Sequence, residues 1–390
     1  MRIFTTCLDG ELLWAIDDTI GGLYSINQRT FETKCVIDYR KLYPHGRFIV
    51  QSLMKWKEDY IVMIPLEVDK SWILYNKVTE KIEYRKITER KCRGTLITAD
   101  QNRNQMYFFP RYIKDPILIV DPDTLICSKV IENWSGNAPK DCGETAWKGA
   151  YDGQYVFFPI KNTKILVRID CETQSVELLE LNVSENVIDV DFVAGELWVL
   201  PMSGNQLYQV DENGRIVNTV ELTVENTEDF LPDFSRIVAQ KRYLFLLPFY
   251  RKGIYVYDKL ERNTCIIPEE STISEKKKEI DLRYWGYYVW DNRIYFLPFR
   301  DKCLEINLDT LVYKERQLDY PAIWSEEEKI EGIIWSHVYE GDSVIRETDG
   351  CNLAVFLKYI RYKANKGEIS SVGHEERRIW DMLKDRKKPT

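Results

Sequence analysis

Six times along the chain an apolar run closes on a proline. The runs are DYIVMIP, QMYFFP, QYVFFP, ELWVLP, YLFLLP and RIYFLP, and they end at Pro65, Pro110, Pro159, Pro201, Pro248 and Pro298. Successive prolines lie 45, 49, 42, 47 and 50 residues apart, and an altered copy, ELLWAID, carries Asp17 in the proline position 48 residues before Pro65. A period in this range is the mark of a repeat array. The copy around Pro159 shows the whole unit: WKGAYDG, a turn, QYVFFP, a short loop, KILVRIDCET, a turn, then SVELLELNV. These segments are rich in Val, Ile, Tyr and Phe and lack helical periodicity, so they read as strands. The run before the proline is apolar at nearly every position, as a strand covered on both faces must be. The last strand alternates or turns polar, as an exposed edge does. The predicted unit is a four-stranded antiparallel sheet with a buried middle and a solvated outer edge. Proline closes the buried strand because it has no N–H to donate and a fixed φ.

The third and fourth strands meet at NQRT (27–30), NKVT (76–79), DPDT (121–124), DCET (170–173) and NLDT (307–310). An Asn or Asp that opens such a turn can accept backbone N–H bonds two residues on, and Thr suits the start of the next strand. Repeats of this size, strand count and turn resemble the blades of a β-propeller, in the style of YVTN-type and quinoprotein-type repeats, where radial stacking buries both faces of every sheet. The Trp-Asp dipeptide of WD repeats and the repeated Gly-Gly of kelch repeats are missing, Gly21-Gly22 being a lone instance. The expected fold is all-β: a propeller of seven four-stranded blades over residues 1–345, with six or eight left open by the pattern. Residues 332–350 read as a first and second strand without the rest. Beyond them Leu353, Phe356, Leu357 and Ile360 follow helical spacing and HEERRIWDMLKD is a second amphipathic stretch, which predicts a C-terminal helical cap or tail over residues 346–390.

Composition narrows the class. The chain has 390 residues, 13% of them aromatic, and no low-complexity tract, so its whole length can fold. A net charge of -8 argues against a nucleic-acid coat. No apolar run approaches a membrane span, and the N-terminal MRIFTTCLDGELLWAIDD has no signal-peptide core. Nine cysteines without a C-x-x-C pair suggest neither a disulfide framework nor a zinc knuckle. A reduced, cytoplasmic monomer without nucleic-acid or membrane partners is expected.

The resemblance also implies where a site would lie. In propellers the loop from second to third strand and the loop from blade to blade open on one face, around the mouth of the central channel. The loops after the prolines carry Lys70; Arg111 and Lys114; Lys161 and Lys164; Arg251 and Lys252; Arg300 and Lys302. Such a basic funnel would concentrate an anionic ligand. Against it stand the ordinary abundance of Lys and Arg in loops and the acidic Asp141, Glu144, Glu326, Glu327 and Glu328 on the same face. Trp147 and Trp285 are candidate stacking platforms, with Trp134, Tyr284, Tyr287, Trp290, Trp324 and Trp335 nearby. The competing reading packs these rings between blades.

Catalytic signatures are scarce. His45, His337 and His374 share no ligand spacing, and no G-x-S-x-G, phosphate-binding loop, H-E-x-x-H or G-x-G-x-x-G occurs, so neither metal nor cofactor is expected. Asp189, Asp233 and Glu331 are candidate carboxylates for an enzyme, read otherwise as solvated loop residues. The expected function is a non-enzymatic recognition or scaffold module that binds a protein, a peptide or an anionic sugar-like ligand on its loop face. The alternative is a hydrolase or lyase acting on an anionic glycan or modified peptide.

Overall fold

The computed structural model describes residues 3–17, 22–38, 50–65, 71–90, 92–100, 105–136, 144–145, 148–222, 234–248, 253–268, 284–298 and 302–318. Within them the chain forms seven antiparallel sheets, each made of four strands consecutive in sequence. Blade 1 comprises β1 (Ile3–Asp9), β2 (Leu12–Asp17), β3 (Gly22–Asn27) and β4 (Thr33–Asp38). Blade 2 comprises β5 (Val50–Trp56), β6 (Tyr60–Pro65), β7 (Trp72–Asn76) and β8 (Ile82–Arg85). β9 (Gly94–Asp100), β10 (Gln105–Pro110), β11 (Ile117–Asp121) and β12 (Ile126–Ile131) build blade 3. β13 (Ala150–Tyr151), β14 (Tyr155–Pro159), β15 (Ile165–Asp170) and β16 (Val176–Glu180) build blade 4. Blade 5 follows with β17 (Val187–Val193), β18 (Glu196–Pro201), β19 (Gln206–Val210) and β20 (Ile216–Glu221). Blade 6 has β21 (Phe234–Ala239), β22 (Tyr243–Pro248), β23 (Ile254–Asp258) and β24 (Asn263–Ile267). Blade 7 has β25 (Tyr284–Trp290), β26 (Arg293–Pro298), β27 (Lys302–Asn307) and β28 (Tyr313–Gln317). The protein is a seven-bladed β-propeller, which removes the six- and eight-blade alternatives. No α-helix occurs among the described residues, and the helices expected over 346–390 lie outside them.

Every predicted proline is the last residue of its second strand. In blades 2, 5, 6 and 7 it pairs with the first residue of the innermost strand: Val50 with Pro65, Val187 with Pro201, Phe234 with Pro248 and Tyr284 with Pro298. A β-bulge follows each of these pairs, and the same bulge follows Ile3 opposite Asp17 in blade 1. The extra residue re-aims the innermost strand as it enters the sheet. Since Asp17 supports the same bulge, proline reinforces this geometry without creating it.

The turns between third and fourth strands form as the sequence predicts. Asn27 Oδ1 accepts the N–H groups of Arg29 (2.9 Å) and Thr30 (3.0 Å), and Asn76, Asp121, Asp170 and Asn307 repeat the arrangement. Two further copies were hidden by the absence of Thr: Asp211 accepts from Asn213 and Arg215, and Asp258 from Leu260 and Glu261. A left-handed residue closes each turn, Phe31 at φ 61° and Leu311 at φ 56° among them, with Gly214 taking the role in blade 5 at φ 77°.

Core packing runs between blades. Phe109 and Phe158 stack at 4.9 Å across blades 3 and 4, Trp72 meets Phe108 at 5.3 Å across blades 2 and 3, and Phe245 meets Phe296 at 5.6 Å across blades 6 and 7. The ring closes by the same means. Leu13, Ala15, Ile26 and Phe31 of blade 1 are buried against Tyr288, Tyr295, Leu297 and Cys303 of blade 7, and Arg316 lies 4.6 Å over the Phe31 ring. No blade borrows a strand from the other end of the described chain. The first strands of neighbouring blades approach one another, β1 with β5 and β25, and β17 with β13 and β21, so they line the axis. The fourth strands of blades 2 to 5 are exposed or half-buried at nearly every position, as predicted for the rim.

Candidate functional site

On one face the loops of blades 3 and 4 are tied together. Residues 144–145, which lead into blade 4, bridge both post-proline loops: Tyr112 pairs with Glu144 and Thr145 with Ile160. Thr145 N donates to Arg111 O (2.9 Å), its hydroxyl donates to Pro110 O (2.5 Å), and Lys161 N donates to Glu144 O (3.0 Å). Post-proline loops and the blade-to-blade segment thus share a face here, as the propeller resemblance implies. Glu144 becomes the centre of a charged group, with Lys161 Nζ at 3.0 Å and Arg111 Nε at 3.6 Å. Burial lowers the Lys161 pKa and Arg111 adds to the shift, while Glu144 opposes it. Lys114 is exposed, with its ammonium 5.9 Å from the Tyr112 ring centre, and Lys164 is half-buried. Neither makes an ion pair among the described residues.

Of the nine predicted cations the structure gathers Arg111 and Lys161 around Glu144, with Lys114 close to Tyr112, while Lys164 lies in the same post-proline loop as Lys161. Lys302 opens β27 and pairs with Glu315 of the outermost strand at 2.8 Å. Lys70, Arg251, Lys252, Arg300, Trp147, Asp233 and Glu331 lie outside the described residues, as does the side chain of Trp285. Trp134 is a seam residue and not a platform. It is 7% exposed, sits 5.6 Å edge-on to Phe158, and donates its indole N–H to Asp115 O at 2.7 Å.

A second charged group lines the channel, and most of it was missed from sequence. Asp189 and Asp191 project from the same face of β17, two residues apart as a strand requires. Asp189 Oδ2 accepts Ile237 N (2.9 Å) and Asp191 Oδ2 accepts Ala239 N (2.8 Å), both on β21 of the next blade. Lys148, just before β13, pairs with Asp191 at 2.7 Å and donates to Ile237 O at 3.1 Å, so one side chain from blade 4 reaches both blade 5 and blade 6. Tyr287 of β25 lies 5.5 Å from the Lys148 ammonium. Asp189 is 2% exposed, which corrects its reading as a solvated loop carboxylate. Burial pushes its pKa up to about 6 against the pull of Lys148 and Arg236. Burial alone would depress Lys148, but Asp191, Tyr287 and Asp189 outweigh it and hold the ammonium above the ordinary lysine range. Burial also raises the Tyr287 phenol. The detectable sequence signal was the alternation VIDVDFV, which places two carboxylates on one face of an innermost strand.

Other features lie elsewhere. A cleft of about 270 Å³ lined by Lys34, Val36, Asp38, Tyr75 and Glu80 opens between blades 1 and 2 at the rim. Among the described residues no group of His, Cys, Asp and Glu could hold a metal ion.

The propeller fold is similar to that of solved proteins of quite different kinds. Virginiamycin B lyase from Staphylococcus aureus is 13% identical, with 77% of this chain and 93% of that chain aligned and a TM-score of 0.57. The catalytically inactive form of that lyase, solved with quinupristin, gives 12% identity, coverage of 78% and 94%, and a TM-score of 0.58. The computationally designed Ika8 protein gives 9% identity, coverage of 81% and 86%, and a TM-score of 0.52. Likeness at these identities is likeness of fold alone. No family model and no curated protein sequence matches this chain.

Proposed function

We propose that this propeller is a non-enzymatic recognition module whose loop face binds an anionic ligand, either an acidic peptide of a partner protein or an anionic sugar. The observation that carries the reading is the cation group over blades 3 and 4. Arg111 and Lys161 are held around Glu144 by the bridging segment, Lys114 lies near Tyr112, and Lys164 follows in the loop of Lys161; neither Lys114 nor Lys164 makes an ion pair among the described residues. In a chain of net charge -8, such a group gives one sector of the face a local sign opposite to the whole. Tyr112 adds a flat surface beside Arg111 and Lys114.

The test is a thermal-shift panel of sugar acids, sugar phosphates and acidic peptides at low and high salt, run on the wild type and on a variant with Arg111, Lys114, Lys161 and Lys164 all changed to Ser. A ligand that binds the folded form raises the midpoint by mass action. The expected result is a shift that fades with salt and is lost in the variant, while the variant keeps its own unliganded midpoint to within a few degrees. A ligand shift unchanged in the variant would remove this face from the proposal.

A further inference from the structure

The charged wall of the channel carries an inference of its own. β17 and β21 meet there much as β1 and β5 do. Thr5 Oγ1 accepts Leu53 N at 3.2 Å, and Asp189 Oδ2 accepts Ile237 N at 2.9 Å, each across 48 residues. Thr5 and Asp189 hold the same register place, each the first residue after the bulge of its innermost strand. A neutral hydroxyl therefore does the structural work of capping the next blade's inner edge. The negative charge of Asp189 is surplus to that work.

It is also poorly compensated. Lys148 is committed to Asp191 and to Ile237 O. Asp189, at 2% exposure, has one neutral N–H donor and no ion pair among the described residues. An ionised carboxylate so placed is the member of the group that gains most from taking a proton. The charged and titratable groups facing it are Lys148 before β13, Asp191 on its own strand, Arg236 on β21 and, through Lys148, Tyr287 on β25. With both carboxylates ionised this wall is neutral. With Asp189 protonated it carries one net positive charge and presents an added O–H donor.

We propose that Lys148, Asp189, Arg236 and Tyr287 form an anion site in the channel, separate from the mouth, which takes up one proton on Asp189 together with a small oxyanion of the carboxylate, sulfate or phosphate kind. No covalent bond changes: the proton comes from solvent and goes to the Asp189 carboxylate, and the anion is held by N–H and O–H donors. Proton and anion each strengthen the binding of the other, because linkage is reciprocal. The reading does not depend on the ligand proposed for the loop face.

Inorganic sulfate is the probe, since it does not titrate over the range that matters. Calorimetry of the full chain at pH 5, pH 7 and pH 8, at fixed ionic strength and in two buffers of different ionisation enthalpy, reads both affinity and protons. The wild type should bind sulfate at least about ten-fold more tightly at pH 5 than at pH 8, with uptake approaching one proton near pH 7. Asp189→Asn should bind at both pH values with the wild-type affinity of pH 5 and take up no proton. Asp189→Thr, which reproduces the cap seen at Thr5, should keep the fold and likewise lose the pH dependence. The loop-face variant with four serines should retain it, which separates failure of this site from failure of the mouth. Sulfate binding that is absent in the wild type, insensitive to pH, or still proton-coupled in Asp189→Asn would overturn the proposal.

Discussion

Two lysines on neighbouring loops of blade 4, both paired with a carboxylate, respond to burial in opposite directions. Lys161 at the mouth sits 3.0 Å from Glu144 and its pKa falls. Lys148 in the channel sits 2.7 Å from Asp191 and its pKa rises. Burial opposes both charges, so the sign is decided by the neighbours. Lys161 shares Glu144 with Arg111, whereas Lys148 has Asp191, Asp189 and the Tyr287 phenol around it. At the mouth two cations share Glu144, whereas in the channel Lys148 and Arg236 are balanced by two carboxylates. Under the proposals above, the first would take an anion as it stands and the second only after a carboxylate has been neutralised.

The widest break in that comparison is Lys148→Met. It leaves Asp191 beside Asp189 with no cation of its own, a loss expected to cost about 3–5 kcal/mol in urea unfolding. Next comes the pH dependence of Asp189. Its pKa is raised in the folded state to about 6 from an ordinary 3.8, so folding binds the proton more tightly than the unfolded chain does. The stability linked to it is present below about pH 4 and is lost as pH rises through about pH 6, a swing of roughly 3 kcal/mol. Asp189→Asn should abolish that slope, so the stability difference between variant and wild type should widen in the variant's favour between pH 4 and pH 8. Parallel curves for the two proteins would show that Asp189 ionises normally. The smallest effect is at the mouth: Lys161→Met should change stability by less than about 1 kcal/mol, because Arg111 still serves Glu144 and the pair is partly solvated. A loss as large as that of Lys148→Met would erase the contrast.

Much of the architecture was legible because it is local. The apolar runs ending at Pro65, Pro110, Pro159, Pro201, Pro248 and Pro298 are the second strands of blades 2 to 7, and the Asx turns at Asn27, Asn76, Asp121, Asp170 and Asn307 are where they were placed. The turns at Asp211 and Asp258 escaped because their only common element with the others is one side-chain oxygen. The site was less legible. Arg111 and Lys161 were found by position in the repeat, yet nothing local shows that Glu144 gathers them. Lys302, the first residue after a comparable post-proline loop, pairs with Glu315 on the adjacent strand instead.

The sequence by itself determined the repeating unit: strand lengths, the buried second strand, the polar rim and the turn chemistry all depend on residues within one blade. The tertiary structure alone decided that the described chain makes seven blades, that the last packs on the first through Tyr295, Leu297, Leu13 and Phe31, and that Asp189 is buried beside Lys148. Those facts depend on which blades become neighbours in space. A charge feels the water it has lost and the groups brought around it, and here those groups come from four blades that meet only when the ring is closed.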